Sequence, residues 1–476
     1  MRALRLVIAL AALLAVGIPT AGAVTIPKLT APPLGERWFS IVVGSERAGF
    51  AHQSIAREKD GYRILSDGSV KMKVMGVSRD SASKESYLVG PDLSLKSFAV
   101  EQYLEGAPMQ VTGEWTPKGI KTSSESGGKK KDRTIRAKGA VYPPQALNIF
   151  PLLHDPAKGK KYRVQMLDTE ELKVKTIKIE VIGAETLPPD IPAIHLQNNL
   201  FPVVDNDIWV DLKGNTIKES VRDDLVLTVA EDEKTAQTYI ANTALAKSDL
   251  IINYSAVRTE PIAHPETLKK LVLELTGIPA GFTLPEGAQQ AAERSGDAVR
   301  FTMARPTGAA APPAPRPADT AATAGIPSDA PQVVTQQKAI VADTKEPVEA
   351  ARMLVDWVAK EIKGSNGDGL AALEALKDKK GSAPAQARLY TALARSAGIP
   401  TRFVSGIVYF PKQGFLFHSW AESYLGGSWV PVDPALGQDP ADLTHIKLVE
   451  GETQDDLVRL AGVIGKLKGK VVEQAY

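Results

Sequence analysis

The 476-residue chain contains no cysteine. That absence excludes a thiol nucleophile, a disulfide framework and cysteine-ligated metal together, so stability has to come from packing. An excess of one charge is missing as well. The 57 Lys and Arg residues against 55 Asp and Glu leave a net charge of +2, too little for a protein that wraps nucleic acid. The one dense basic run, Lys129-Lys130-Lys131-Asp132-Arg133, follows Gly127-Gly128 and reads as a solvated hairpin loop, with no nucleic-acid partner. Past the N-terminus no segment reaches the roughly 18 apolar residues that a membrane span requires. No metal-ligand spacing of the His-Glu-x-x-His kind occurs, and nothing calls for a cofactor. Of the six histidines, His52, His154, His195 and His264 are scattered and read as structural or solvated.

The N-terminus carries a different signal. Arg2 and Arg5 give a positive start, residues 6–18 are almost wholly apolar, and Ala21-Gly22-Ala23 is a small-residue cleavage site. This is a secretory signal pattern over residues 1–23, and its apolar core of about 13 residues is short for a span. The expectation is an exported chain, periplasmic or extracellular, with no stable membrane span after cleavage. A mature chain of about 450 residues is too long for one core, so two or three domains are expected.

From residue 24 to 249 short β-branched runs alternate with Gly, Asp and Pro turns, as in Trp38-Phe39-Ser40-Ile41-Val42-Val43 and Ser97-Phe98-Ala99-Val100. That pattern predicts antiparallel sheet, with Lys213-Gly214-Asn215 as one strand-to-strand turn. The half resembles the large open sheets of lipoprotein-carrier-like exported domains. A smaller β-rich segment spans 250–303. Residues 304–338 are dense in Pro and Ala, which predicts an extended interdomain linker. Beyond 339 the period turns helical. Ala351, Leu354, Val355, Val358 and Ile362 share one face with Trp357 beside it, a short helix covers 370–377, and a third runs over 384–397 to Gly398 and Pro400. Strands over 401–409, 417–424 and 429–432 complete an α+β domain.

Inside that domain the strands place chemistry. If Gly426-Gly427 is the turn between the last two strands, residue i faces roughly 853 minus i. His418 and Asp433 then lie on one face as diagonal neighbours, within about 7–8 Å, and a slip of one residue would part them. The pair can be a hydrogen-bonded structural unit or a retained recognition site. Trp420 and Trp429 flank it as core aromatics, and His445 falls in a surface segment.

The ordered motifs resemble the transglutaminase-like superfamily of papain-type folds over residues 348–449. These are Gly381-Ser382-Ala383-Pro384-Ala385-Gln386, Ala397-Gly398-Ile399-Pro400, His418-Ser419-Trp420-Ala421-Glu422, Trp429-Val430-Pro431-Val432-Asp433-Pro434 and Thr444-His445-Ile446. The resemblance implies a thiol at a helix N-terminus, where the dipole favours thiolate, a histidine as base and an aspartate that orients it. His418 and Asp433 match the last two, while the nucleophile position is Ala383, followed by Ala385 and Gln386. Ser382 is a substitute one residue early, turned about 100° along the helix.

The reading is therefore a catalytically degenerate domain, leaning away from enzyme, that binds a peptide or cell-envelope protein with Trp420 and Gln386 as binding residues. The alternative is an amidase, protease or acyl transferase that uses Ser382 or water with His418 and Asp433. A second alternative is a lipid or apolar ligand held by an apolar cavity in the N-terminal β domain.

Overall fold

The structure, a computed structural model, describes residues 25–74, 77–104, 107–201, 206–305, 313–366 and 371–476. The signal segment expected at 1–23 lies outside the described residues. The chain is α+β, with an antiparallel β-rich N-terminal half and a C-terminal α+β domain. Among the described residues no helix is long and apolar enough to cross a membrane.

A fourteen-stranded sheet dominates the N-terminal half. Eight strands, from Gly35–Val43 to Lys129–Ile135, meander outward. The chain then crosses to the opposite edge at Lys161–Asp168, and six strands return until Val226–Glu231 pairs with Gly35–Val43. Gly127 and Gly128 both take positive φ, the conformation a tight hairpin turn with the sheet's twist demands. The basic run is therefore not a loop. Lys129–Ile135 is the edge strand beyond that turn, and its exposed lysines discourage pairing with another chain.

One face of the sheet is apolar. Ile64, Tyr87, Phe98, Val100, Val111 and Ile120 pack with Val164, Met166 and Ile177 from the far edge, and Tyr142 bridges to Met166, so the sheet curls around this core. The other face meets helices that the strand pattern did not announce, Glu233–Leu245 and Asp249–Ser255. Asp232 caps the first by accepting from the Thr235 amide, a standard way to satisfy an orphan helix donor.

The segment 250–303 does not stand alone. Its strands Lys270–Thr276, Gln290–Ser295 and Ala298–Ala304 form a four-stranded sheet completed by Lys468–Ala475 from the C-terminus. A strand 200 residues away cannot be assigned from local pattern, because pairing follows the tertiary fold.

In the C-terminal domain a second four-stranded sheet runs in the order Ser428–Val432, Gly414–Leu425, Thr401–Phe410 and Ile446–Glu450. Helices Pro331–Val341, Pro347–Glu361, Ala372–Asp378 and Ala383–Ser396 share a core with it. Leu354, Val355, Val358, Leu389 and Leu393 there meet Phe403 and Ala421. Fully burying each of the larger side chains is worth about 1.5–3 kcal/mol.

The Pro/Ala-rich stretch differs from the linker expected at 304–338. Residues 306–312 are outside the described set, but from Pro313 onward the chain is clamped to the domain. The Trp429 indole N–H donates to the Pro313 carbonyl at 2.8 Å, buried Asp319 pairs with Arg316 and Arg402, and Ile326 is fully buried. The helix Pro331–Val341 then crosses the expected boundary. A few anchors suffice to fix a segment that composition alone reads as free.

Candidate functional site

The helix Ala383–Ser396 begins at a tight junction. Ser382 is its N-cap, Ala383 its first residue, and a proline follows in the first turn, where the missing N–H costs nothing. A Cβ on Gly381 would stand 3.0 Å from the Ala385 methyl and 3.1 Å from that of Ala375, so the helix N-terminus is packed closely against its neighbour. Gln386 is buried, and its amide donates to the Ile362 carbonyl at 2.6 Å, tying the helix to the end of Pro347–Glu361. Tyr390 and Ser423 share a 2.8 Å hydrogen bond from helix to strand.

The strands Gly414–Leu425 and Ser428–Val432 pair Tyr424 with Trp429 and Ala421 with Val432, the register that a Gly426-Gly427 turn implies. Successive side chains alternate between faces. Ala421 and Ser423 face the helices, while His418, Trp420 and Glu422 share the other side.

There His418 meets Asp433, with Nε2 2.7 Å from Oδ2. The same oxygen takes a second imidazole, Nε2 of His445 at 3.0 Å. Oδ1 accepts the backbone N–H groups of Ala435 and Leu436 at 2.8 and 3.1 Å, so four donors saturate the carboxylate. On its far side His445 Nδ1 lies 3.2 Å from Asp442 Oδ1. Trp420, also buried, sits edge-on to His445 with centroids 5.2 Å apart. His418 and Asp433 have no exposed surface.

Burial and charge pull these groups apart. Burial lowers the His418 pKa to about 4, against the attraction of Asp433, so the imidazole is neutral. Burial also opposes charge on His445, but hydrogen bonds to Asp433 and Asp442 outweigh it and raise the pKa to about 9. Asp433 would rise on burial, yet the two imidazoles, His418 first and then His445, hold it well below the usual carboxylate range. Neutral His418 is the form a general base needs. With Nε2–H given to Asp433, its Nδ1 lone pair is left buried without a hydrogen-bond partner among the described residues.

Lys247 was not anticipated. It follows the helix Glu233–Leu245 in a left-handed conformation, φ 50°, and its ammonium lies 4.2 Å from the centre of the Phe410 ring. That ring stands 6.0 Å from His418. Burial lowers the Lys247 pKa to about 8, with the Asp433 charge pulling the other way. Only tertiary packing brings this helix end to the strand, so no local signal marked it.

The structure thus brings His418 and Asp433 together and adds His445, which is buried and not on the surface as its sequence position suggested. The polar run Asp442-Leu443-Thr444-His445 was the available signal, since Asp442 both turns the chain and orients the ring. Trp420 and Gln386, expected to bind a ligand, are both buried, the first in the core and the second as a tie between helices. Ser382 is fully buried at the N-cap and makes no side-chain cap to its helix. Among the described residues no cluster of three or more ligand-type side chains has the geometry to hold a metal.

Residues 335–434, which include Ala383, His418 and Asp433, match the transglutaminase-like superfamily. This part of the chain is a transglutaminase-like domain. No curated protein matches the chain in sequence. Among solved structures, a Cytophaga hutchinsonii protein assigned as a cysteine protease is similar at 14% identity, over 44% of this chain and 88% of that one, with a TM-score of 0.28. A β-barrel-like protein of unknown function from Brucella abortus is similar at 12% identity, over 42% and 96%, with a TM-score of 0.32. A Parabacteroides distasonis protein assigned as a protease is similar at 8% identity, over 69% and 64%, with a TM-score of 0.21. The chain has no cysteine to place in this domain.

Proposed function

We propose that the transglutaminase-like domain binds a peptide or protein of the cell envelope without turning it over, in a chain exported by its N-terminal signal. The carrying observation is a neutral imidazole held by a saturated carboxylate in a chain with no thiol to activate. Ala383 occupies the first turn of a helix, where the dipole would favour a thiolate, yet its methyl has no proton to give. Ser382 offers a hydroxyl one residue earlier, but it is fully buried, and a serine requires stronger base assistance than a thiol.

The test pairs the natural chain with Ala383→Cys against an amine donor and glutamine-containing peptides. The expected result is peptide binding by both proteins and acyl transfer or hydrolysis by the variant alone. Activity in the natural chain that disappears in Ser382→Ala would overturn the binding reading in favour of a serine-based amidase. Mass spectrometry of the mature N-terminus checks export, with cleavage expected after Ala23.

A further inference from the structure

A second feature lies on the face of the large sheet that meets the helices. A cleft of about 890 Å³ separates that face from the helix Asp249–Ser255 and residues 461–469. Its lining mixes charged groups with apolar ones such as Trp38, Leu65, Ile240 and Ile464.

The cleft's chemistry comes from one row of the sheet. Trp38 faces His52, His52 faces Asp67, Asp67 faces Lys84, and Lys84 faces Glu101, each directly across from the next on adjacent strands. Directly opposed residues point to the same face, so five strands present aromatic and charged groups in a line. The neighbouring row, Ser54, Leu65, Ser86 and Ala99, is small apart from Leu65 and leaves space. The row on the other side, Phe50, Ser69, Ala82 and Tyr103, closes the floor, and its apolar members pack against the helices.

Within the polar row Asp67 is engaged on both oxygens while Lys84 is not so engaged among the described residues. Asp67 takes His52 Nδ1 at 2.8 Å on one oxygen and the Tyr254 hydroxyl at 2.6 Å on the other. Glu101 stands 3.5 Å from Lys468. Lys84, by contrast, has neither a hydrogen bond nor an ion pair among the described residues, and its ammonium lies 5.0 Å over the Tyr254 ring. Burial lowers its pKa, with the charges of Glu101 and Asp67 opposing. Arg258 likewise has only a ring, Tyr103 at 5.6 Å. The Trp38 indole N–H is buried and unpaired, its ring stacked 4.1 Å from His52. A buried cation without a partner is costly to keep, and a cleft that holds such a cation beside aromatic rings suits an anionic ligand.

We infer that this cleft binds an organic carboxylate, with Lys84 and Arg258 as its donors and Tyr103 and Tyr254 as its walls. The carboxylate can belong to a peptide C-terminus or to a small organic acid, and both present the same two acceptor oxygens.

Isothermal titration calorimetry of the full chain with three probes tests this: N-acetyl-Ala-Ala-Phe as the free acid, the same peptide as its C-terminal amide, and octanoate. The expected result is binding of at least one carboxylate, with the amide at least tenfold weaker than the acid if the peptide is the one that binds. Lys84→Met and Arg258→Met should each weaken the bound carboxylate about tenfold. Arg258 is exposed, so its variant keeps the fold even if Lys84→Met does not. Which carboxylate binds identifies the source. No binding by either acid, an amide as tight as the acid, or an Arg258→Met variant that binds like the natural chain would each overturn the inference.

Discussion

Raising the pH should unload one buried charge, and its size follows from the structure. His445 is an imidazolium between Asp433 and Asp442, with a pKa of about 9 in the fold against 6.5 when free. A group whose folded pKa is raised contributes stability that is complete below its unfolded value and lost as pH climbs through the folded one. Each pH unit in that window is worth about 1.4 kcal/mol, so the loss between pH 6.5 and 9 sums to about 3 kcal/mol. His418 behaves oppositely. Its pKa is lowered to about 4, so its contribution is complete above 6.5 and lost as pH falls toward 4. The two windows meet near pH 6.5, where the region is most stable. Hydrogen exchange of peptides covering residues 414–450, corrected for intrinsic amide rates, reads this locally in a multidomain chain. The natural chain should lose about 3 kcal/mol of protection from pH 6.5 to 9 relative to a His445→Gln variant, which has no proton to release. Equal slopes in the two proteins would refute an imidazolium at His445.

Two substitutions test the frame around the site. Trp429→Ala removes the donor to the Pro313 carbonyl and the ring that lies 3.7 Å under the Arg402 guanidinium. Truncating a buried tryptophan costs about 3–5 kcal/mol, and limited digestion with proteinase K should show faster cleavage within residues 313–330; an unchanged rate would mean that the segment is held by other contacts. Gly406→Ala would set a methyl 2.0 Å from the Ile446 carbonyl, forcing the strand Thr401–Phe410 away from Ile446–Glu450, which follows His445. At least about 2 kcal/mol of overpacking is expected, seen as a lower melting temperature, and a Tm equal to that of the natural chain would contradict the close approach.

What the sequence disclosed and what it hid divide along a physical line. The face of Ala351, Leu354, Val355 and Val358 was legible because a helix buries every third or fourth residue, and all four are buried. The Tyr424–Trp429 register was legible because a two-residue glycine turn fixes strand pairing locally. The same rules are silent on non-local partners. Nothing near Lys468 announces Lys270–Thr276 as its neighbour, and nothing near Lys247 announces Phe410. The Pro-rich segment was misread for a related reason: composition describes what a chain does alone, whereas Asp319 and Trp429 supply an environment from elsewhere. His445 was misplaced because a polar stretch reads as surface unless its partners are known. Its partners are three and twelve residues away, and the second is reached only after the chain has folded back.

The two imidazoles on Asp433 can be told apart by what each would leave behind. Removing His445 strips a hydrogen bond from Asp433 and another from Asp442, leaving a buried and a partly buried carboxylate without the imidazolium between them. His445→Leu should therefore cost about 3–5 kcal/mol, the usual penalty for breaking a buried pair. Removing His418 leaves Asp433 three of its four donors, His445 and the amides of Ala435 and Leu436. It also removes an unpaired buried nitrogen that itself costs about 1–3 kcal/mol, so the two effects nearly cancel. His418→Leu should change stability by less than about 1 kcal/mol in urea unfolding at pH 6.5. That asymmetry separates a structural imidazole from one kept for another purpose: packing and charge account for His445, whereas His418 carries an unsatisfied nitrogen that folding alone would discard. If His418→Leu costs as much as His445→Leu, then His418 is structural too, and the case for a retained recognition site at this position fails.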